Sequence, residues 1–330
     1  MKLFFSLVLS FLFTLYIIPH LCTVAFRFKM IDTPDGKIKK QKKATPYLGG
    51  LAVYFGFIAT LALTFPFENK MFLFLVGSTL LLFIGLLDDL VVMRPIQKFF
   101  GQIIATFCFL KAGFYLKQNF FFNNFWNIPI SFFWILIVIN AFNLIDVMDG
   151  LAALLAISAA SSFLALSIYL NHYSLSILIA CFLGAIFAFF LFNKPVAQMY
   201  LGDSGSLFLG GFFATVPFLF SWATYHPYAY FTPLVILAIP LIEVGTLIII
   251  RTIKGIPFYR GSPDHFSIYL QEGGWSCQNI LFYVFLLSMI LFGISFLFVS
   301  GVFYLAGLAA TLGFFVTIWY FVLFFNRLLP

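Results

Sequence analysis

The chain has 330 residues, of which 63% are hydrophobic and 9% charged, with a net charge of +7. A mean hydropathy of +1.08 exceeds what a water-soluble core requires and excludes an ordinary globular enzyme, and the few cations sit where anionic lipid and anionic substrates are the expected partners rather than nucleic acid. Four cysteines, Cys22, Cys108, Cys181 and Cys277, lack the spacing of a metal centre and read as small buried hydrophobes.

Apolar runs of about 20 residues, enough to cross about 30 Å of hydrocarbon, recur along the whole chain. They predict an all-α polytopic membrane protein of eleven helices, near 3–25, 47–66, 71–87, 99–115, 128–146, 151–170, 174–192, 205–222, 230–250, 279–298 and 302–325, in one integral-membrane catalytic domain over 1–330. The first run reads as a membrane helix rather than a cleaved signal peptide, since cleavage would export the cation-rich loop behind it. No internal repeat is visible, so inverted-repeat transporter folds gain no support. The fifty Phe residues are expected to be lipid-facing bulk.

Lys and Arg in short loops set orientation. Fourteen of the eighteen fall on one side if loop 26–46 is cytoplasmic, leaving Lys2, Lys70, Lys111 and Lys117 outside. The expectation is an N-terminus outside, a C-terminus inside, and a site on the cytoplasmic face of the inner (plasma) membrane. Polar loops at about 26–46, 88–98, 146–150, 193–205 and 252–278 then share that face and carry most of the acidic residues. Carboxylates cost roughly 2.5–3.5 kcal/mol each at a lipid-facing helix centre, so their gathering in these breaks reads as a site.

The first break runs from Asp32 through Lys37, Lys39, Lys40, Lys42 and Lys43 to Thr45-Pro46-Tyr47-Leu48-Gly49-Gly50. Its glycines permit close backbone approach, and its ammonium groups suit phosphate. The second places Asp88 and Asp89 at a helix end, followed by Arg94, Lys98 and Gln102; adjacent carboxylates stay ionised comfortably only near a cation. The third, from Asn140 to Ala152, spaces Asn143, Asp146 and Asp149 at i, i+3 and i+6, which on a continuous helix is an arc of about 120° facing the bundle. The fourth, Tyr200-Leu201-Gly202-Asp203-Ser204-Gly205-Ser206, offers a hard oxygen ligand beside the free N–H groups of a helix start. The fifth holds Lys254, Arg260, Asp264 and His265, with His265 a candidate for phosphate binding or catalysis. Glu243 is expected to face the bundle.

Carboxylates, cations and Gly-rich turns without a Cys or multi-His set fit Mg²⁺, or Mn²⁺, and phosphate better than zinc. Phosphoryl transfer is the first candidate. Like charges 4 Å apart repel by about 4 kcal/mol at an effective dielectric of 20, and joining two phosphates requires that repulsion to be cancelled. The membrane face would admit one soluble reactant and one lipid phosphate. A transporter with an acidic ion path is the rival from another class.

Together the DTP…TPxxGG loop, the Asp88–Asp89 pair, NAFNLIDVMDGLA, YLGDSGS and the SPDH segment resemble the polyprenyl-phosphate N-acetylhexosamine-1-phosphate transferase superfamily, in its order and over nearly the whole chain. The resemblance implies eleven transmembrane helices and a cytoplasmic Mg²⁺ site. It implies transfer of N-acetylhexosamine-1-phosphate from a UDP-sugar to polyprenyl (undecaprenyl) phosphate, with release of UMP and the start of O-antigen or other envelope polysaccharide. Asp203 matches a metal ligand, with Asp89 and Asp146 beside it, and Asp88 or Asp89 the residue that deprotonates or orients the lipid phosphate. Asn140, Asn143, Asp146 and Asp149 match the nucleotide-sugar pocket. Lys43, Thr45, Lys98, Arg260 and Asp264 match substrate-binding positions, and His265 the family's histidine loop. A homodimer is also implied. Val147 replaces a usual Gly, Glu243 a common Asp and Ile268 a frequent His. The missing triple-His segment favours the polysaccharide-initiating branch over the alternative, phospho-N-acetylmuramoyl-pentapeptide transfer.

Overall fold

The computed structural model describes residues 1–33, 44–66, 69–117, 124–222, 228–257 and 261–302 and, within 307–320, all but 310, 314 and 318. It divides into two units, Met1–Leu219 and Phe220–Pro330.

The first unit is built from α1 (Lys2–Arg27), α2 (Gly49–Thr64), α3 (Asn69–Val91), α4 (Pro95–Lys111), α5 (Asn127–Ile145), α6 (Leu151–Tyr169), α7 (Tyr173–Asn193) and α8 (Gly202–Thr215). Such apolar runs fold as helices because only a helix satisfies its own backbone groups where water is absent. Pro95 opens α4, where its missing N–H costs nothing, and Arg94 N–H donates to Gln97 Oε1 at 3.0 Å. Among the described residues the sheet is a two-residue antiparallel ladder, with Ile31 opposite Pro46 and Asp32 opposite Thr45.

The core of this unit is aromatic. Phe182 stacks on Phe212 with centroids 3.8 Å apart, Phe142 stacks on Phe213 at 4.9 Å, and Phe57 meets Phe212 edge-on. The expectation that Phe is lipid-facing bulk is corrected for these rings, which are fully buried and pack face and edge against one another, while others such as Phe4, Phe72, Phe107 and Phe282 are exposed. The short helix α8 packs against α2, α3 and α5 and is buried from Ser204 to Thr215. Gly210 lets it lie close to α5, since a Cβ there would come within 2.5 Å of Ile139 Cα. This central helix carries Asp203 at its first turn.

The second unit contains α9 (Thr232–Ile236) and α10 (Ala238–Ile253), with the stretch Ala229–Ile236 bent by 68° from α10, then α11 (Phe266–Glu272) and α12 (Cys277–Val299). Pro240 has no N–H for the carbonyl of Ile236, which explains the break. Ser276 Oγ accepts from Asn279 N–H at 3.1 Å and starts α12.

Each predicted span from 3–25 to 279–298 coincides with one helix or with the bent pair. Six helices among the described residues have the length and apolarity to cross a membrane, seven if the bent pair is one span. Helices α2, α4 and α8, of 16, 17 and 14 residues, fall below that length. Of the span predicted at 302–325, the described residues between 307 and 320 are helical, and 303–306 and 321–325 lie outside the described residues.

Candidate active site

Helices α3, α5 and α7 end where α2, α4, α6 and α8 begin, so four polar breaks meet at one end of the first unit. Backbone bonds knit them: Tyr200 N–H donates to Pro46 O (2.8 Å), Gly49 N–H to Tyr200 O (3.0 Å) and Gly50 N–H to Leu201 O (2.9 Å). The glycines expected to approach a phosphate approach another chain segment instead, for a Cβ on Gly50 would lie 2.2 Å from Gly205 N. Gly202 adopts φ +72°, and a Cβ there would meet Asp89 Oδ2 at 2.7 Å.

Asp89 turns its carboxylate onto the start of α8, accepting from Asp203 N–H (2.8 Å, Oδ1) and Ser204 N–H (3.1 Å, Oδ2). The positive end of the helix dipole favours that placement. These N–H groups, read from sequence as free for a ligand, are therefore occupied. The side chain of Asp203 is held from two sides: Lys98 Nζ lies 2.7 Å from Oδ2, and Asn143 Nδ2 donates to Oδ1 at 2.6 Å and to Ser206 Oγ at 2.9 Å. Lys98 also pairs with Asp88 at 2.9 Å, and Asp88 accepts from Met93 N–H at 2.6 Å. One turn below, Asn140 Nδ2 donates to Gln102 Oε1 at 2.8 Å and to Leu136 O at 2.8 Å. Gln102 and Ser206, named in the second and fourth breaks without a role of their own, are tied into this network; Gln102 is a buried amide inside an apolar helix, where polar groups are costly and paired.

The third break departs from expectation. Helix α5 stops at Ile145, so Asn143, Asp146 and Asp149 do not share a helical face. Asp146 sits at φ −82°, ψ 61°, and Val147 N–H closes onto Ile145 O at 2.9 Å, an inverse γ-turn. Gly150 follows at φ +77°. Side chains across the break enforce the turn: Gly150 N–H donates to Asn193 Oδ1 (3.1 Å), Asn193 Nδ2 to Met199 O (2.9 Å), and Ala197 N–H to Asp149 Oδ2 (2.9 Å).

Asp146 makes no side-chain hydrogen bond among the described residues, and desolvation with the charges of Asp203, Asp89 and Asp149 pushes its carboxyl up to about 8. Desolvation raises Asp149 too, against the pull of the Ala197 N–H. Asp203 is raised by desolvation and its bond to Asp88, with Lys98 and Asn143 opposing. The cluster thus stores like-charge repulsion around one lysine and can hold a proton near neutrality. Its donors are hard oxygens, the right chemistry for Mg²⁺. Their placement is less complete: no group of three or more His, Cys, Asp or Glu among the described residues is arranged to hold a metal ion, since Asp89 faces amides and Asp203 faces Lys98 and Asn143.

Thr45 is buried in the ladder opposite Asp32. Lys43 and Arg260 lie outside the described residues. Asp264 and His265 belong to the second unit, described by itself. There Asp264 pairs with Lys254 and accepts from Tyr269 OH at 2.5 Å; desolvation opposes its ionisation, but these partners hold it below its ordinary value. His265 Nδ1 lies 3.2 Å from Glu243 Oε1.

Residues 71–221, which contain the five aspartates of the cluster, match the family described as glycosyl transferase family 4. The chain is similar to the probable undecaprenyl-phosphate N-acetylglucosaminyl 1-phosphate transferase of Bacillus subtilis, 27% identical over 295 residues that cover 86% of this chain and 82% of the relative. It is also similar to the phospho-N-acetylmuramoyl-pentapeptide-transferase of Listeria welshimeri, 30% identical with 78% and 85% covered. The corresponding enzyme of Caldanaerobacter subterraneus is 26% identical, with 89% and 98% covered.

Proposed function

The chain belongs to glycosyl transferase family 4, and on that premise we propose that it transfers N-acetylhexosamine-1-phosphate from a UDP-sugar to a polyprenyl phosphate. The observation that carries this reading is the network where four breaks meet, in which Lys98 pairs with Asp88 and Asp203, Asn143 donates to Asp203, and Asp89 accepts from the Asp203 N–H. A phosphate oxygen of the lipid attacks the sugar-bearing phosphorus, the bond to the UMP oxygen breaks, UMP departs, and the anomeric bond stays intact. Lys98 supplies positive charge at the centre of the cluster, and Asn143 fixes Asp203. Asp146 exchanges a proton at working pH. Mg²⁺ enters the proposal on charge grounds alone, as the ion whose binding would neutralise the carboxylates and the phosphate oxygens.

Eleven spans with the N-terminus outside and the cluster on the cytoplasmic side of the inner membrane complete the reading. That face offers both a soluble UDP-sugar and a lipid phosphate, and the product would start an envelope polysaccharide. Relatives with the pentapeptide activity make phospho-N-acetylmuramoyl-pentapeptide transfer the second reading, opposed by the absence of a triple-His segment. The carboxylates crowd helix ends rather than mid-helix positions, which disfavours an ion path through the membrane.

Membranes carrying the chain, given polyprenyl phosphate and a panel of labelled UDP-sugars, test this. The expected result is a lipid-linked product from a UDP-N-acetylhexosamine, lost on adding EDTA. Product from UDP-N-acetylmuramoyl-pentapeptide alone would select the second reading, and no product from any donor would defeat both.

A further inference from the structure

In the second unit, the segment between α10 and α11 is tied down at successive points. Arg251 Nε donates to Ser262 Oγ at 2.9 Å, Lys254 pairs with Asp264, and Glu243 reaches His265. The last contact is the most enclosed, since Glu243 is 1% and His265 5% exposed. Glu243 Oε1 accepts from Phe266 N–H at 3.2 Å and lies 3.2 Å from His265 Nδ1. A carboxylate has only acceptors to offer, and as the partner of Nδ1 it places the ring hydrogen on that nitrogen. Nothing among the described residues bonds Nε2.

We propose that Glu243 is a positioning residue: by accepting from Nδ1–H it fixes the tautomer and orientation of His265, leaving Nε2 as the ring nitrogen that meets substrate. This rests on the transferase reading above, in which His265 is a candidate catalytic group. A carboxylate that orients an imidazole through one nitrogen so that the other can act is a general device. Here the two residues are 22 apart in the chain and meet where the start of α11 reaches Glu243 on α10.

The test uses the full chain in nanodiscs, labelled with ¹⁵N-histidine. The chain has four histidines, and His265→Gln identifies the signal. Nδ1 should be protonated in the wild type and in Glu243→Gln, whose carbonyl still accepts, and should lose that preference in Glu243→Met, of similar size without an acceptor. Transfer should fall at least about tenfold in Glu243→Met and largely recover in Glu243→Gln. The double variant Glu243→Met, His265→Gln should be no slower than His265→Gln alone, because the carboxylate acts through the ring. A bare Nδ1 in the wild type, an unchanged ring in Glu243→Met, or additive losses would overturn the proposal; the first needs no variant to fold. A wild-type chain that transfers no sugar phosphate would instead overturn the parent reading, and with it the catalytic consequence drawn here.

Discussion

Asp203 is held by Lys98 and Asn143 on its side chain and by Asp89 on its backbone. Asp203→Asn keeps the shape and leaves Lys98 its partner Asp88, so the fold should persist while transfer falls by at least about a hundredfold; near-normal turnover would remove Asp203 from the chemistry. Asp146 gives a pH signature. A carboxyl moved from 3.8 to about 8 on folding binds its proton more tightly in the native state, so it subtracts from stability as pH rises across that interval, and the loss is complete above about 8. Asp146→Asn should match wild-type thermal stability near pH 4, gain steadily to pH 8 and then hold a constant margin, while transfer is lost. A margin independent of pH would contradict this. The paired aspartates and Asp203 were legible in sequence because charge in an apolar chain needs a reason. The contact of Glu243 with His265 was not, since it depends on where α10 and α11 meet.

Two backbone approaches position α8 among its neighbours. A Cβ on Gly50 would meet Gly205 N at 2.2 Å, one on Gly85 would meet Asp203 O and Ser204 N at 2.3 Å, while one on Gly245 would meet nothing within 4 Å. The first two obstacles are main chain and cannot rotate away. Gly50→Ala and Gly85→Ala should each cost about 1–3 kcal/mol and depress transfer, and Gly245→Ala should leave both unchanged, as thermal unfolding and rate measurements would show. Helices were legible because apolar runs of membrane length have few alternatives. The end of α5 was not: the spacing of Asn143, Asp146 and Asp149 fits a continuous helix, and the side chains that break it, Asn193 and Asp149 bonding across to the other segment, act through contacts invisible in a local pattern.

At the scale of the whole molecule, four of the five breaks that sequence placed on one membrane face hydrogen-bond to each other in the first unit. Orientation rests on the distribution of Lys and Arg. Val196, 87% exposed beside these breaks, offers a probe: in a chain whose own cysteines are replaced, Val196→Cys should react with a membrane-impermeant maleimide in inverted vesicles and not in intact cells, and the reverse would invert the topology. The central claim is that this end of the bundle moves a sugar together with its phosphate. Purified chain given polyprenyl phosphate and UDP-N-acetylglucosamine labelled with ³²P at the β-phosphorus tests it directly. The account predicts label in the lipid product and unlabelled UMP in solution; label that leaves as UDP while the sugar alone reaches the lipid would contradict it.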